Sequence, residues 1–324
     1  MNQKPIKQIT LTAARDCISQ LKKIDLTKVS IDRIKTLIEP LWKGYLLSNP
    51  ILRPGAILYR GIKWPIRPTN ISQLSYPPSE LITKDQRANR AGVSRFYASY
   101  SYYAAYSEID AQPGEYIAIS KWQTTDSIIV NSVGFTDEVF TQYQSQRKTQ
   151  DINWQKHANI TESPTNKLIH TFFAKEFSKN VPENSEHLYK ISVAISEGFY
   201  SENSNLTGAS LIENPPKILR IGGLLYPTFA MLANSDNIVL LPEVADSSLK
   251  FVSVEYIKID NYLADNKGYE IKRLDFANSL SADGSIEWKN RPPQWNIQPG
   301  YTRTIEEDGQ WTVRNDKGEI IDPE

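Results

Sequence analysis

Residues 87–108, RANRAGVSRFYASYSYYAAYSE, are the stretch on which the reading of this chain turns. It opens as a polar turn with Arg87, Asn89, Arg90 and Gly92, the last free to take a positive φ. Val93, Phe96 and Tyr97 read as a short buried strand. From Ser101 onward Tyr102, Tyr103, Ala105, Tyr106 and Ile109 fall at helical spacing, with Ser99 or Ser101 as the N-cap. Glu108 is therefore expected about two turns into a helix that follows directly on a strand carrying Tyr97. That puts a carboxylate near an aromatic wall, at a strand end where ligands often bind. Tyr- and Ala-rich helix faces also pack cores, and helical glutamates also face water, so pattern alone leaves packing and function both open.

Two further stretches complete the picture. Residues 56–61, AILYRG, form an apolar strand that ends on Arg60, a charge that must meet either solvent or an anion. Residues 222–228, GGLLYPT, form a buried strand whose ladder Pro227 ends, followed by Asn234 and by the apolar run from Asn237 to Pro242. In their order and spacing these motifs resemble the RES domain family, the toxins of RES–Xre toxin–antitoxin pairs. The resemblance rests on the leucine–tyrosine–arginine strand, on R-A-N-x-x-G-x-S-x-F-Y with its small-residue helix ending in Glu108, on Phe172 to Phe177 with the segment from Tyr189, and on the Tyr226-Pro227 motif. It spans roughly residues 50–262. Where family members commonly have Tyr-Pro-Ser, this chain has Thr228, which keeps the hydroxyl but adds a methyl and stiffens χ1.

The resemblance implies an α+β fold, an ADP-ribosyltransferase-like mixed β core with flanking helices. It further implies cleavage of the nicotinamide–ribose bond of NAD+, by glycohydrolysis with water or by phosphorolysis with inorganic phosphate as co-substrate. The chain would then be a bacterial toxin whose partner is an Xre-type antitoxin. Alternatives are ADP-ribosyl transfer to a protein target and a RES-like module that binds without turnover. Catalytic roles are expected for Arg60, Tyr97, Glu108 and Thr228, and substrate contacts for Tyr59, Arg87, Asn89 and Asn237. Arg60 would hold the pyrophosphate, Tyr97 the nicotinamide, and Glu108 would face the anomeric carbon. Thr228 and Asn237 would hold the ribose or carboxamide. The residue types suit such a ligand: a guanidinium grips phosphate bidentately, an aromatic ring stacks a flat heterocycle, and a carboxylate opposes an oxocarbenium-like cation. Tyr102, Tyr103 and Tyr106 are read as packing.

Bulk properties narrow the remaining options. Across 324 residues, 37 Lys+Arg balance 37 Asp+Glu, so no bulk charge draws the chain to nucleic acid or membrane. Cys17 is alone, and His157, His170 and His187 are too scattered for a metal site, so no metal and no prosthetic group are expected. No apolar run approaches the ~20 residues of a spanning helix, and Lys4 and Lys7 precede no apolar leader, which points to the cytoplasm. Neither a GxGxxG nor a Walker-type loop is present.

The domain expectation is a helical extension over 1–48, a catalytic domain over 49–262 and a C-terminal extension over 263–324. Helices are expected from Thr12 to Ile24 and from Ser30 past Pro40, the proline kinking or dividing the second. Strands are expected over 114–122 and 126–130, and mainly helix over 134–180 with a second helix from His187. A loop is expected at 201–205 and a closing strand over 250–259. The tail would dock through Trp288, Trp295 and Trp311 and carry turns at Asp308-Gly309 and Asp316 to Gly318.

Overall fold

A computed structural model describes residues 8–43, 45–46, 49–149, 163–200, 221–263 and 268–291, and the backbones of 302–305, 311–314 and 320–321. Two N-terminal helices, α1 (Leu11–Lys22) and α2 (Ile31–Trp42), start at Thr10 and Ser30, whose side chains accept from the backbone N–H three residues on. Pro40 does not divide α2. It sits in the last turn, and the helix runs on to Trp42. The strands β1 (Ile51–Leu52), β2 (Ile57–Lys63) and β3 (Phe96–Ser99) lead to α3 (Tyr102–Ser107). Then come β4 (Tyr116–Thr124), β5 (Ile128–Ser132), α4 (Asp137–Gln142), α5 (Pro164–Phe177) and α6 (Lys190–Tyr200). The chain continues through β6 (Ile221–Pro227), β7 (Asp236–Leu240), α7 (Pro242–Ser248), β8 (Leu249–Leu263) and β9 (Gly268–Ala277).

These nine strands form one mixed sheet in the order β1-β5-β6-β7-β3-β2-β4-β8-β9, parallel between β5 and β6 and antiparallel elsewhere. The fold is α+β. By themselves β10 (Thr302–Ile305), β11 (Trp311–Arg314) and β12 (Ile320–Ile321) form a three-stranded antiparallel sheet. The expected turns between them, the 201–205 loop and Trp295 lie outside the described residues.

Several boundaries differ from expectation. The stretch over 134–180 resolves into short α4 and longer α5, with 150–162 outside the described residues. β8 is not the closing strand: it runs to Leu263, and β9 adds the next ladder, so the boundary placed at 262 cuts through a continuous sheet. The tail contributes this edge strand and Trp288, whose ring meets Tyr256 at 6.3 Å and whose indole donates to the Pro68 carbonyl. No described helix is long and apolar enough to cross a membrane.

Two apolar layers cover the sheet. On one face α1, α2, α5 and α6 pack over β3, β6 and β7 through Ile34, Phe173, Phe177, Phe199, Leu224 and Val239. The N-terminal helices thus share the core of the domain. Beside them α3 packs Ala105 and Tyr106 on Ile119 of β4 and Ile257 of β8. The opposite face holds Leu58, Phe96, Trp122 and Ile238.

The topology leaves one weak seam. β2 pairs with β4 over seven residues but meets β3 at a single register position, Tyr59 opposite Ser99. The sheet is therefore splayed between β2 and β3. α3 lies tight on β2 because residue 61 is glycine: a Cβ there would stand 2.2 Å from the Ala105 carbonyl oxygen.

Candidate active site

The splay between β2 and β3 opens into a cavity of about 980 Å³, at the upper end of the size of small-molecule sites. Residues from both faces of the sheet line it, as a gap between two strands requires. Six of the expected site residues are brought together there: Tyr59, Arg60, Arg87, Tyr97, Glu108 and Asn237. Thr228 and Asn89 are not on its wall, and both expectations are corrected below. Tyr102, Tyr103 and Tyr106 pack edge-on against one another at 5.9–6.0 Å, as expected of core residues.

Arg60 spans the gap. Its Nε donates to the Ser75 carbonyl at 3.1 Å and its Nη1 to the Tyr97 carbonyl at 2.8 Å, a β3 group that β2 leaves unpaired. The guanidinium lies 5.6 Å from the Phe96 ring centroid. Burial pulls its pKa down to about 10, so it stays charged at neutral pH. Tyr59, its neighbour, turns to the α3 side and meets Tyr102 edge-on at 5.8 Å.

Arg87 enters from the turn before β3. It donates through Nη1 to the carbonyls of Phe177 and Lys179 and lies between the Tyr189 and Phe229 rings, 5.5 and 4.8 Å from their centroids. Arg95, which the sequence analysis passed over, also lines the cavity. Arg67, Arg90, Arg147 and Arg273 each form an ion pair with a carboxylate, whereas the three cavity arginines form none among the described residues, although Arg87 is near enough to Glu108 to favour its charged form. A guanidinium held partly out of water without an acid is poised for an anion.

Tyr97 is fixed at its hydroxyl, which donates to Asn89 Oδ1 at 2.6 Å and accepts from the Ala88 N–H at 3.1 Å. Burial raises its pKa above the ordinary phenol range. Asn89 itself is 1% exposed, and its amide nitrogen donates to the carbonyls of Arg90 and Val93. Its part is to hold the turn and orient Tyr97, with no surface left for a ligand.

Glu108 stands about two turns from the start of α3, as expected, and ends it: α3 runs to Ser107 and Glu108 is its C-cap. Glu108 is exposed, and its exposed surface lines the cavity, with the protein close around it. This enclosure raises its pKa above the usual carboxylate range, opposed by Asn237, Arg87 and the Ala230 backbone. Asn237 comes from β7, where its Oδ1 accepts from Ser99 Oγ at 2.5 Å. Its buried Nδ2 has no hydrogen-bond partner. It lies near enough to Glu108 to favour the carboxylate, but outside hydrogen-bonding geometry.

Thr228 is fully buried behind the site, and its Oγ1 has no hydrogen-bond partner. Its backbone does the visible work: N–H to Ser235, carbonyl to Met231 and Ala233. That turn presents Phe229 and Ala230 to the cavity. Within it Leu232 and Ala233 take φ of 53° and 58°, a left-handed pair without glycine.

Sequence reasoning also missed the aromatic wall of Tyr143, Tyr189, Tyr226 and Phe229. Phe229 packs at 4.9 Å from Tyr143 and stacks at 6.1 Å on Tyr226. Arg95 was findable, since it stands two residues before Tyr97 on the same alternation. Phe229 had no local signal beyond following the Tyr226-Pro227 motif. Among the described residues no group of three His, Cys, Asp or Glu is placed to hold a metal. No protein-family model matches this chain, and no curated protein matches it.

Proposed function

We propose that the chain cleaves the nicotinamide–ribose bond of NAD+, as the RES resemblance implies, and acts as the toxin of a toxin–antitoxin pair. One observation carries the reading. Arg60, Tyr97 and Glu108, far apart in the chain, line a single cavity of about 980 Å³ whose arginines form no ion pair among the described residues. Arg60 and Arg87 supply donors for the pyrophosphate; neither Nη2 makes a hydrogen bond among the described residues. The Tyr97 ring and the edges of the aromatic wall give the cavity apolar surface for a flat heterocycle.

In the step itself the bond from C1′ to the pyridinium nitrogen breaks. Both electrons go to the ring, which leaves as neutral nicotinamide. The Glu108 carboxylate opposes the positive charge that grows on the ribose, in a cleft where enclosure strengthens that attraction. Water then adds to C1′ and releases a proton, giving ADP-ribose. The Asn237 Nδ2, buried and unpartnered, suits an oxygen of the ribose or carboxamide. An Xre-type partner would act by closing the cavity mouth.

Product analysis of NAD+ incubated with wild type and with Glu108→Gln tests this. Free nicotinamide with ADP-ribose is expected from the wild type, at a rate at least a hundredfold above the variant. NAD+ left intact by the wild type, with and without inorganic phosphate, sinks the reading. Label retained on protein would move it to ADP-ribosyl transfer.

A further inference from the structure

Ser99 lines the cavity, and the cleavage step gives it no part. It stands at the one place where the seam is closed, opposite Tyr59 of β2 on one side and Asn237 of β7 on the other. Asn237 in turn stands opposite Tyr226 of β6. Directly opposed residues turn their side chains to the same side of a sheet. Tyr59, Ser99, Asn237 and Tyr226 therefore make one row across β2, β3, β7 and β6, and each lines the cavity. Ser99 and Asn237 are each 3% exposed. A hydroxyl pinned by strands on both sides is a rigid anchor, whereas an asparagine amide turns easily about its last torsion.

The proton of that hydroxyl decides which way the amide faces. Ser99 Oγ donates to Asn237 Oδ1 at 2.5 Å and makes no other hydrogen bond among the described residues. Turned over, the amide would offer Nδ2 to Oγ and leave the buried hydroxyl proton without an acceptor, an arrangement that protein interiors avoid. It would also bring Oδ1, an acceptor, round to the Glu108 side and set it against the carboxylate. Held as it is, Asn237 directs Nδ2 away from Ser99, where no acceptor lies in hydrogen-bonding geometry. One of the two amide hydrogens can serve Glu108 and the other a ligand oxygen. Such contacts tighten when the reacting group is bound.

Also facing the carboxylate are Arg87 from the turn before β3, the Ala230 backbone after β6, Tyr226 of β6 and Tyr143 at the end of α4. None of them hydrogen-bonds the Ser99 side chain among the described residues, so a change at Ser99 reaches Glu108 through Asn237. Resting on the cleavage reading, we propose that Ser99 is a positioning residue for the reaction: its hydroxyl holds the Asn237 amide with Nδ2 toward Glu108, so that a donor steadies the carboxylate where the ribosyl cation forms. Polarity then runs one way, from the Ser99 proton through the amide to the carboxylate.

The test is the pH profile of kcat for NAD+ in wild type, Ser99→Ala, Ser99→Thr, Asn237→Leu and the Ser99→Ala/Asn237→Leu pair, each checked by thermal melt. Ser99→Ala should lose about tenfold in kcat, and the midpoint of its profile should move up by about one pH unit, because a donor that favours the charged carboxyl is no longer held in place. Ser99→Thr keeps the hydroxyl and suits a strand, and should return both values towards wild type. Ser99→Cys, a weaker donor in the same place, should fall between, and it stands in for Ser99→Ala if that variant does not fold. In the Asn237→Leu background Ser99→Ala should change neither value, since the amide it holds is gone. An unmoved midpoint in folded Ser99→Ala overturns the proposal. So does a folded Ser99→Thr that behaves as Ser99→Ala, or an equal loss from Ser99→Ala with and without Asn237. Carbon-13 NMR titration of the Glu108 carboxyl in the ligand-free protein reads the same shift without turnover and separates the two readings. A titration that moves up in Ser99→Ala, with NAD+ left intact by the wild type, keeps the positioning role and removes the cleavage reaction. NAD+ cleaved by a Ser99→Ala protein that matches wild type in rate and titration does the reverse.

Discussion

Gly61→Ala is the sharpest perturbation of the arrangement, because it adds one methyl group at the point where α3 rests on β2. The new Cβ would lie 2.2 Å from the Ala105 carbonyl oxygen and 2.8 Å from its carbon. Ordinary contact begins at 3.4 Å, so the gap must widen by 3.4 − 2.2 = 1.2 Å. The obstacle is helix backbone, which cannot rotate aside as a side chain would. β2 is held along its length by β4, with Gly61 opposite Ile119, so α3 is the partner that yields. α3 is six residues long and Glu108 caps it, so the carboxylate retreats with the helix. Misplacing a reacting group by 1 Å costs about a hundredfold, and overpacking a tight contact costs about 1–3 kcal/mol of stability. The expected result is a kcat for NAD+ cleavage about a hundredfold lower, with a modest fall in melting temperature. KM should change less, since Arg60 and Arg87 are carried by β2 and the turn before β3. The assay is nicotinamide release at saturating NAD+ alongside a thermal melt. Wild-type turnover in a folded Gly61→Ala protein refutes the claim that the α3–β2 contact sets the position of Glu108.

Glu108→Gln should abolish turnover while stabilising the fold. A carboxyl whose pKa is raised on folding contributes stability that is complete below its unfolded pKa and lost as pH rises through the folded one. The melting temperature of the variant should therefore pull ahead of wild type as pH rises from 4 to 7, and a gap that shrinks over that window contradicts the raised pKa of Glu108 in the cavity. Wild-type activity should rise with pH to a plateau whose midpoint lies above the ordinary glutamate range. Thr228→Val removes a buried hydroxyl that has no partner, so turnover should hold within twofold and stability should stay level or gain up to about 1 kcal/mol; a tenfold loss of kcat would restore the catalytic role suggested by the motif. Asn89→Leu takes away the acceptor of the Tyr97 hydroxyl and should cost about 1–3 kcal/mol in chemical denaturation, with a raised KM. Unchanged KM in a folded Asn89→Leu protein would mean that the Tyr97 ring needs no clamp.

Much of this site was legible because local chemistry and position in the chain agreed. Arg60 at the end of an apolar strand, Tyr97 on the next strand and Glu108 after a small-residue helix all reached one cavity. Pro227 ends its ladder as a residue without an N–H should, pairing last with Asp236. Thr228 and Asn89 misled for a shared reason. Each is polar, and each lies within a motif, but whether a polar side chain faces a ligand or the protein depends on packing that no local pattern encodes. Tyr97 turned its hydroxyl back onto Asn89, and the turn after Pro227 folded Thr228 inward, exposing Phe229 in its place. The aromatic wall and the gathering of three arginines that form no ion pair among the described residues are likewise products of assembly, drawing on residues from Arg60 to Asn237. The seam between β2 and β3 is the deepest such feature. Each strand alone looks ready to pair, and β2 does so fully with β4. Between them α3 follows directly on β3 and is clamped at Gly61, and only Tyr59 and Ser99 come into register. The carbonyl of Tyr97, deprived of a strand partner, is taken by Arg60, and the same splay that costs the sheet its ladder opens the cavity. An arginine is suited to both tasks at once because its fork can spend two nitrogens on backbone carbonyls and still present Nη2 and its charge to an anion.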